Sequence, residues 1–238
     1  MERLEFDSDL FGVRVCRATS MPDEAALREC DLLYLFTRNE VPKETLDRFN
    51  GCLADQRFSY TRDLLDEDTP QPDETHQPPF EIVRARGLVK QDRLDLRELA
   101  FQSGYRCRFK MDPLMPDEWF RRMYSTWMDN SIYGVVADLV VAARIEGRYA
   151  AMATLREDTP DAASIGLIAV DAGQRGTGLG KKLMDEVLRC CMLDLGCTIC
   201  WAETHGQDPG ACAFYEAMGF TLDDRMNVYH LWPNGAPA

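Results

Sequence analysis

The chain has 238 residues, of which 45% are hydrophobic and 28% are charged, and its formal net charge at pH 7 is −13. This length suits a compact domain together with a second, smaller domain of the same chain. The composition is that of a folded globular protein and not of a disordered one. The negative charge argues against a broad nucleic-acid or anionic-membrane surface, because such binding depends on basic side chains that neutralise phosphates.

The N-terminus and the cysteines indicate a cytoplasmic protein without metal. Acidic residues such as Glu2, Glu5 and Asp7 stand where a signal peptide needs an apolar run, and no apolar stretch of about 18 residues follows. The nine cysteines are an odd number without framework spacing, so we expect reduced thiols. Cys197 and Cys200 match C-x-x-C, but no second pair completes a tetrahedral site, and a buried strand is favoured there over zinc or redox chemistry.

The first third of the chain predicts a small α/β domain over residues 1–65. Residues 31–37 form a continuous apolar run typical of a buried strand, and residues 43–55 have helical spacing. Residues 66–79 then concentrate prolines and acids without any apolar side chain, which predicts a linker.

After this segment the pattern alternates between helices and strands. Helical spacing over residues 94–101 and 116–130 is followed by strand patterns at 137–144 and 149–155, with a turn at Glu146-Gly147-Arg148 between the two strands. The next elements are a strand at 163–170, a glycine-rich loop, a helix at 181–195, a strand at 198–203, a helix at 211–218 and a last strand near 228–232. A mixed α/β domain over residues 80–238 is expected.

The glycine-rich loop is a candidate phosphate site. It reads Arg175-Gly176-Thr177-Gly178-Leu179-Gly180 and stands between a strand pattern and an amphipathic helix. Glycines allow close backbone approach and positive φ, and the free N–H groups and dipole of a helix start favour an anion. Arg175, Lys181 and Lys182 add the local positive charge that the acidic chain otherwise lacks.

Two common phosphate loops do not match this segment. A dinucleotide fingerprint G-x-G-x-x-G would need glycine or alanine where Lys181 stands. A P-loop would need glycine in place of Arg175 and Ser or Thr in place of Lys182. An ordinary connecting turn is the remaining alternative for the three glycines.

The segment resembles the Q/R-x-x-G-x-G/A signature of the GNAT-type N-acetyltransferases, with Arg175, Gly178 and Gly180 in the defined positions. The preceding strand, Ile165-Gly166-Leu167-Ile168-Ala169-Val170-Asp171, and the later helix, Ala211-Cys212-Ala213-Phe214-Tyr215-Glu216-Ala217-Met218-Gly219-Phe220, are similar to the family's flanking elements. The resemblance covers roughly residues 81–232. It implies an α/β (α+β) fold of the GNAT type, a mixed sheet flanked by helices, beside the smaller N-terminal α/β domain.

The resemblance also implies acetyl-CoA as acyl donor and a direct transfer to a primary amine. In the family, two neighbouring strands splay apart, the pantetheine arm enters between them, and the glycine loop cradles the pyrophosphate. The residues expected to bind the coenzyme are Leu167, Ile168, Ala169, Val170, Arg175, Gly176, Thr177, Gly178, Leu179, Gly180, Lys181, Asp208 and Phe214. A backbone N–H near Ile168 would stabilise the thioester oxyanion. Asp208 replaces the family's usual asparagine, and a carboxylate is a good helix N-cap but cannot donate a hydrogen bond to pantetheine.

Two residues are candidates for proton transfer. By resemblance, Tyr215 would donate a hydrogen bond to the departing thiolate, and the alternative is a core aromatic with a satisfied hydroxyl. An amine attacks only when neutral, whereas alkylamines are mostly protonated near pH 7, so a base is needed. Glu203, at the end of the strand over residues 198–203, is the candidate, directly or through water, and the alternative is a solvated strand-end acid.

Three further segments carry a second resemblance: Phe11-Gly12-Val13 in the N-terminal domain, residues 103–109, and the helical residues 119–130 followed by Gly134. On these segments the whole chain is similar to the dTDP-fucosamine acetyltransferase group, which acetylates a nucleotide-linked 4-amino-4,6-dideoxy sugar. That resemblance makes Tyr105, Arg106 and Arg108 candidates for contacting the acceptor, since two arginines could pair a pyrophosphate; a solvated basic turn is the alternative. A small-molecule amine is thus the expected partner, and a homodimer is one assembly open to the chain. The other open functions are transfer to another small amine or a protein N-terminus, and non-catalytic acyl-CoA binding.

Overall fold

The structure is a computed structural model that describes residues 1–64 and 80–235. Within these ranges a single ten-stranded sheet runs through the protein. Its strands are β1 (Glu2–Arg3), β2 (Val15–Ala18), β3 (Leu32–Thr37), β4 (Cys52–Asp63), β5 (Phe80–Ile82), β6 (Leu139–Ile145), β7 (Arg148–Thr159), β8 (Ala162–Val170), β9 (Ile199–His205) and β10 (Thr221–Leu231). Their order across the sheet is β1-β2-β3-β10-β4-β9-β8-β7-β6-β5.

Helices cover both faces of this sheet. They are α1 (Glu5–Phe11), α2 (Glu24–Arg28), α3 (Lys43–Arg48), α4 (Lys90–Ser103), α5 (Arg108–Met111), α6 (Asp117–Ile132), α7 (Leu179–Leu193) and α8 (Pro209–Ala217). The mixed α/β sheet flanked by helices that the sequence predicts is therefore confirmed.

Successive side chains of a strand point to opposite faces of the sheet, so neighbouring residues of one strand pack against different helices. On β6, Val140 and Ala142 pack in one core with Leu96 of α4 and Met123 of α6. The intervening Val141 and Ala143 pack in a second core with the apolar stripe of α7, which consists of Leu183, Met184, Val187 and Leu188. The amphipathic spacing of these helices thus gives each face of the sheet its own core.

Strands β8 and β9 are parallel neighbours for only part of their length. They pair from Ala162 opposite Ile199 to Ile165 opposite Ala202, and no pairing follows. Beyond this point β8 continues to Val170 along β7, and β9 continues to His205 along β4. The two strands therefore separate and leave a gap in the middle of the sheet.

Strand β10 connects the two halves of the chain. It lies antiparallel between β3 and β4, with Val228 opposite Phe36 on one side and Asp55 on the other. Strand β4 in turn pairs with β9, where Arg57 lies opposite His205. One hydrogen-bonded sheet therefore includes strands from both predicted domains; the division at 1–65 and 80–238 stays a prediction, and the predicted linker at 66–79 lies outside the described residues.

The helix expected over residues 43–55 is correct only at its start. Helix α3 ends at Arg48, Asn50 has a φ of 47°, and the chain then enters β4 at Cys52. Asp55 and Arg57 of β4 face a cavity and not a core, so the strand lacks the apolar alternation that would reveal it. The last strand is also longer than expected, because β10 begins at Thr221.

The cysteines of the C-x-x-C segment are buried, with Cys200 on β9 and its sulfur 3.8 Å from that of Cys191. Across residues 1–64 and 80–235, no helix is long and apolar enough to cross a membrane. The same ranges contain no group of three His, Cys, Asp or Glu side chains placed to hold a metal ion.

Candidate active site

A cavity of about 840 Å³ occupies the gap between β8 and β9 and extends over the N-terminal strands. Gly166 to Val170 of β8 form one wall, and Glu203, Thr204 and His205 of β9 form the opposite wall. The separation of two strands that are paired at their starts creates this space.

Backbone groups of β8 face the gap. The Leu167 N–H donates to the Thr154 hydroxyl (2.8 Å), and the Asp171 N–H donates to the Ala150 carbonyl (2.8 Å), so these odd-numbered positions are bound to the β7 side. Because peptide groups alternate in direction along a strand, those of Ile168 and Val170 point to the other side, where β9 has moved away. The N–H of Ile168, the predicted oxyanion donor, therefore points into the gap.

The glycine loop joins β8 to α7. A short 3₁₀ turn at Ala172–Gln174 precedes it, and the Asp171 carboxylate accepts a hydrogen bond from the Gly173 N–H (2.9 Å). Gly176 and Gly178 have φ values of 76° and 85°, a region that side chains with a Cβ strongly disfavour. Helix α7 starts directly after Gly178, and no side chain caps its first N–H groups. The loop therefore presents free backbone donors at a helix start, which is a favourable environment for phosphate.

Most of the residues predicted to bind the coenzyme line this cavity. They are Leu167, Ile168, Ala169, Val170, Arg175, Gly176, Gly180, Asp208 and Phe214. The Phe214 ring packs over Gly180, since a Cβ added to that glycine would lie 3.5 Å from the ring. Four predicted residues lie in the loop and the first turn of α7 without lining the cavity wall: Thr177, Gly178, Leu179 and Lys181. Of these, Leu179 is buried in the core, and the Thr177 hydroxyl donates to the Gln174 carbonyl (2.7 Å).

Asp208 serves as the N-cap of α8. Its carboxylate accepts hydrogen bonds from the N–H groups of Gly210 and Ala211, each at 3.1 Å. This use of the side chain is the one expected where an aspartate precedes a proline at a helix start.

Tyr215 of α8 lines the cavity and is 3% exposed. Its ring packs against those of Tyr60 and Phe220, and its hydroxyl has no hydrogen-bond partner among the described residues. Burial raises the pKa of Tyr215, so the phenol is protonated at neutral pH and can donate a hydrogen bond.

Glu203 also lines the cavity, with a guanidinium nitrogen of Arg57 at 3.2 Å from its carboxylate. Burial raises the pKa of Glu203, and the nearby Arg57, Arg108 and Arg17 act in the opposite direction. Its carboxylate is therefore paired with a cation at the wall of the cavity.

Beside Glu203 is a histidine that the sequence analysis did not single out. His205 Nδ1 lies 2.8 Å from Oδ2 of Asp55, whose side chain is 5% exposed. Both residues line the cavity, although they are 150 positions apart in the chain. Neither belongs to a local motif, so spacing could not have revealed the pair.

The N-terminal strands add an arginine cluster, which we define as Arg17 of β2, Arg57 of β4 and Arg108 of α5. Arg17 and Arg57 lie on the ring of Phe36, at 4.8 and 4.9 Å from its centroid, and Arg108 lies 4.2 Å from that of Tyr34. Within residues 1–64 and 80–235, Arg17 and Arg108 have no salt-bridge partner, and Nε of Arg57 is buried without a hydrogen bond. Three guanidinium groups in one cavity of an acidic chain are an attractive site for an anion.

Of the three predicted acceptor contacts, two reach the cavity. Tyr105 and Arg108 line it, whereas Arg106 donates to the Gln207 carbonyl (2.6 Å) and ties this turn to the segment before α8. Gly104 allows the turn to pass over Tyr124, because a Cβ there would lie 2.2 Å from the Tyr124 ring.

A splayed sheet with a glycine loop at its gap is the architecture of an acyl-CoA-dependent acyltransferase. Residues 99–220, just over half of the chain, match the acetyltransferase (GNAT) family. The chain therefore belongs to the GNAT family of acetyltransferases, whose general reaction uses acetyl-CoA as donor.

A curated relative is the spore coat polysaccharide biosynthesis protein SpsD of Bacillus subtilis (strain 168), 26% identical over 136 residues. The match covers 57% of this chain, and the chain spans 46% of the length of that protein.

Two solved structures share the fold. A conserved protein of unknown function from Staphylococcus epidermidis ATCC 12228 superposes with a TM-score of 0.64 at 9% identity, over 91% of this chain and 83% of that one. A GNAT-family protein from Novosphingobium aromaticivorans DSM 12444 gives a TM-score of 0.52 at 17% identity, over 87% and 75% of the two chains.

Proposed function

We propose that the protein transfers the acetyl group of acetyl-CoA to the amino group of a nucleotide-linked amino-deoxy sugar. The observation that carries this proposal is the arginine cluster, which shares one cavity with the β8–β9 gap and with Tyr215. A donor site and an anion site are thereby continuous.

The described residues fit coenzyme A. The peptide groups of Ile168, which point into the gap, suit an amide-containing arm, and the uncapped start of α7 after Gly178 suits a pyrophosphate. When bound, the coenzyme supplies a thioester whose carbonyl carbon is open to attack and whose thiolate can leave.

The chain would contribute an electrostatic and a proton-donating function. The N–H of Ile168 faces the gap and would stabilise negative charge on the thioester oxygen; such donors contribute about 2.7–4 kcal/mol to barrier lowering. The Tyr215 hydroxyl would donate a hydrogen bond to the sulfur as the C–S bond breaks.

The acceptor end of the proposal rests on charge and shape. A nucleoside diphosphate carries the negative charge that three guanidinium groups can pair in bidentate fashion, and the exposed ring of Tyr105 lines the same cavity. The name of the relative SpsD places that protein in polysaccharide biosynthesis, which is compatible with a sugar acceptor.

The test is product formation measured by mass spectrometry. The purified protein and acetyl-CoA are incubated with dTDP-4-amino-4,6-dideoxygalactose, with the same amino sugar without its nucleotide, with simple alkylamines and with N-terminal peptides. We expect a gain of one acetyl group on the nucleotide-linked sugar and far slower reaction of the free sugar.

If an amine without a nucleotide or a peptide is acetylated faster than the nucleotide-linked sugar, the sugar-nucleotide assignment is wrong, but the acetyltransferase activity still stands. Binding of acetyl-CoA without transfer to any amine would instead favour a non-catalytic acyl-CoA-binding module.

A further inference from the structure

The end of β9 and the first part of β4 place a histidine and a carboxylate together on one face of the sheet. Arg57 of β4 lies directly opposite His205 of β9, so Asp55, two residues before Arg57, projects from the same face. The His205 side chain is 23% exposed and the Asp55 side chain 5%, so the imidazole is the more accessible member of the pair.

The hydrogen bond between them fixes the proton arrangement of the ring. A carboxylate can only accept, so Nδ1 of His205 carries the hydrogen in the 2.8 Å contact with Asp55 Oδ2. Nε2 then has the lone pair of the neutral ring, and no described residue hydrogen-bonds to it. An imidazole oriented by a buried acid and open at Nε2 is the arrangement of a general base.

We propose that His205, positioned by Asp55, is the general base that removes a proton from the acceptor amine. This inference rests on the proposed acetyl transfer and assigns to it a catalytic residue and a positioning residue.

Glu203 is less suited to this task in the structure. Burial raises the pKa of Glu203, but its carboxylate lies 3.2 Å from an Arg57 guanidinium nitrogen and is therefore engaged with a cation instead of open to an acceptor amine. Glu203 instead fixes Arg57 in the arginine cluster. The side chains of residues 203 and 205 face the same side of β9, so both would border an acceptor whose anionic part occupies that cluster.

The transfer balances with these groups. The acceptor ammonium gives one proton to Nε2 of His205, and the neutral amine forms the N–C bond as the C–S bond breaks. Tyr215 gives its hydroxyl proton to the departing thiolate, and the second proton that leaves the nitrogen returns through water to the Tyr215 oxygen. The net change converts ammonium and thioester to amide, thiol and one proton, which His205 passes to solvent.

Several charged groups line the same cavity as this imidazole. From β4 these are Asp55 and Arg57, from β9 Glu203, from α5 Arg108, and from the segment before α8 Asp208.

The experiment compares the pH dependence of kcat/KM in wild type, His205→Gln and Asp55→Asn, with dTDP-4-amino-4,6-dideoxygalactose as acceptor. Wild type should show a rising limb between about pH 5 and 8, where histidines change charge. His205→Gln should lose about 10²–10⁴-fold near neutral pH, the usual contribution of a general base. Its residual rate should increase about tenfold per pH unit, because the neutral fraction of the amine does so below the amine pKa of about 10.

Two further variants make the result specific. Asp224→Asn, an aspartate on β10 that pairs with Arg38 at the surface, is the matched control for Asp55→Asn and should leave the profile unchanged. Glu203→Gln should raise the acceptor KM but retain the rising limb. Nitrogen-15 NMR of the free protein should find the Nδ1–H tautomer at His205 in wild type and a mixture in Asp55→Asn.

A His205→Gln variant with the wild-type pH dependence of kcat/KM would overturn this inference and leave the proposed function intact. The same holds if Glu203→Gln, and not His205→Gln, loses the rising limb. A wild-type protein that acetylates no amine at any pH would overturn the proposed function as well.

Discussion

The rings of Tyr215 and Tyr60 stack with centroids 5.6 Å apart and planes inclined by 18°. Tyr215 lines the cavity, whereas the Tyr60 hydroxyl turns to the Glu216 carboxylate at 3.1 Å. Two adjacent tyrosines of similar burial thus differ in what their hydroxyls can reach. This difference provides a test of the proton donor with its own internal control.

Tyr215→Phe should lower kcat and kcat/KM together by about 10²–10⁴-fold, because the lost hydroxyl assists mainly in the transition state. Acetyl-CoA affinity should change little, since the ring and its packing remain. Tyr60→Phe should reduce the free energy of unfolding by roughly 1 kcal/mol through the lost bond to Glu216 and leave kcat near wild type. Steady-state kinetics and urea denaturation measure both, and a fully active Tyr215→Phe would reduce that residue to a packing role.

Gly178→Val should abolish the stabilisation of the protein by acetyl-CoA. Gly178 has a φ of 85°, so a β-branched residue would force the loop to change and would crowd the free N–H groups of α7. Gly196 is a matched position, since its φ is 72° and a Cβ would meet nothing within 4 Å at either glycine. Gly196→Val should therefore lower the Tm by a similar amount while the ligand-induced shift persists. Equal ligand shifts in the two variants would argue against the loop as the phosphate site.

Arg108→Gln should raise the KM for the sugar nucleotide by about 10- to 100-fold, because hydrogen bonds to charged groups contribute about 1.5–3 kcal/mol each. Arg106→Gln is the neighbouring control: its guanidinium donates to the Gln207 carbonyl and lies outside the cavity wall, so the acceptor KM should stay within a few-fold of wild type. The KM for acetyl-CoA should be unchanged in Arg108→Gln. The reverse ranking of these two variants would contradict the placement of the anionic group in the arginine cluster.

Asp112 connects the C-terminal strand to α5 and should make the protein sensitive to acid. Its carboxylate accepts from His230 Nδ1 and Trp232 Nε1, both at 2.9 Å. Burial raises the pKa of Asp112, but the hydrogen bonds and the neighbouring His230 together lower it by more, so the net pKa lies below 3.8. A group whose folded pKa is depressed stabilises the fold above its unfolded pKa and ceases to do so as the pH falls through the folded value.

The free energy of unfolding should therefore decline as the pH falls below 3.8. Asp112→Asn should cost about 1.5–3 kcal/mol at pH 7 and make this acid slope shallower. Asp224→Asn, which removes an exposed pair with Arg38, should show neither effect. Urea denaturation as a function of pH measures all three proteins, and an unchanged slope in Asp112→Asn would place the acid sensitivity elsewhere.

The C-terminal elements could be predicted because their signals are local. Gly176 and Gly178 are required by positive φ, and the apolar stripe of α7 follows a 3.6-residue period. The Glu146–Gly147 turn also has positive φ at both residues and joins β6 to β7 as expected. Each of these features depends on residues close to one another in the sequence.

The acceptor side could not be predicted in the same way. Strand β4 carries Asp55 and Arg57 toward the cavity, so its polar pattern gives no strand signal. The pairing of Asp55 with His205 depends on β4 lying beside β9, a contact between distant parts of the chain. Arg17 could not be predicted either, because its place in the cavity follows from β2 lying beside β3 and not from any sequence motif. Local motifs therefore locate the donor site, and only topology assembles the acceptor site.

The position of β10 has a consequence for the order of events during synthesis. Strand β10 pairs with both β3 and β4, and these two strands are synthesised more than 150 residues before β10. At about 5–20 residues per second, this interval lasts on the order of ten seconds or more. During that time two strand edges rich in hydrogen-bonding groups have no partner, which is the condition under which nascent chains pair wrongly or recruit chaperones. The arginine-bearing wall of the cavity is thus encoded early in the chain and completed late.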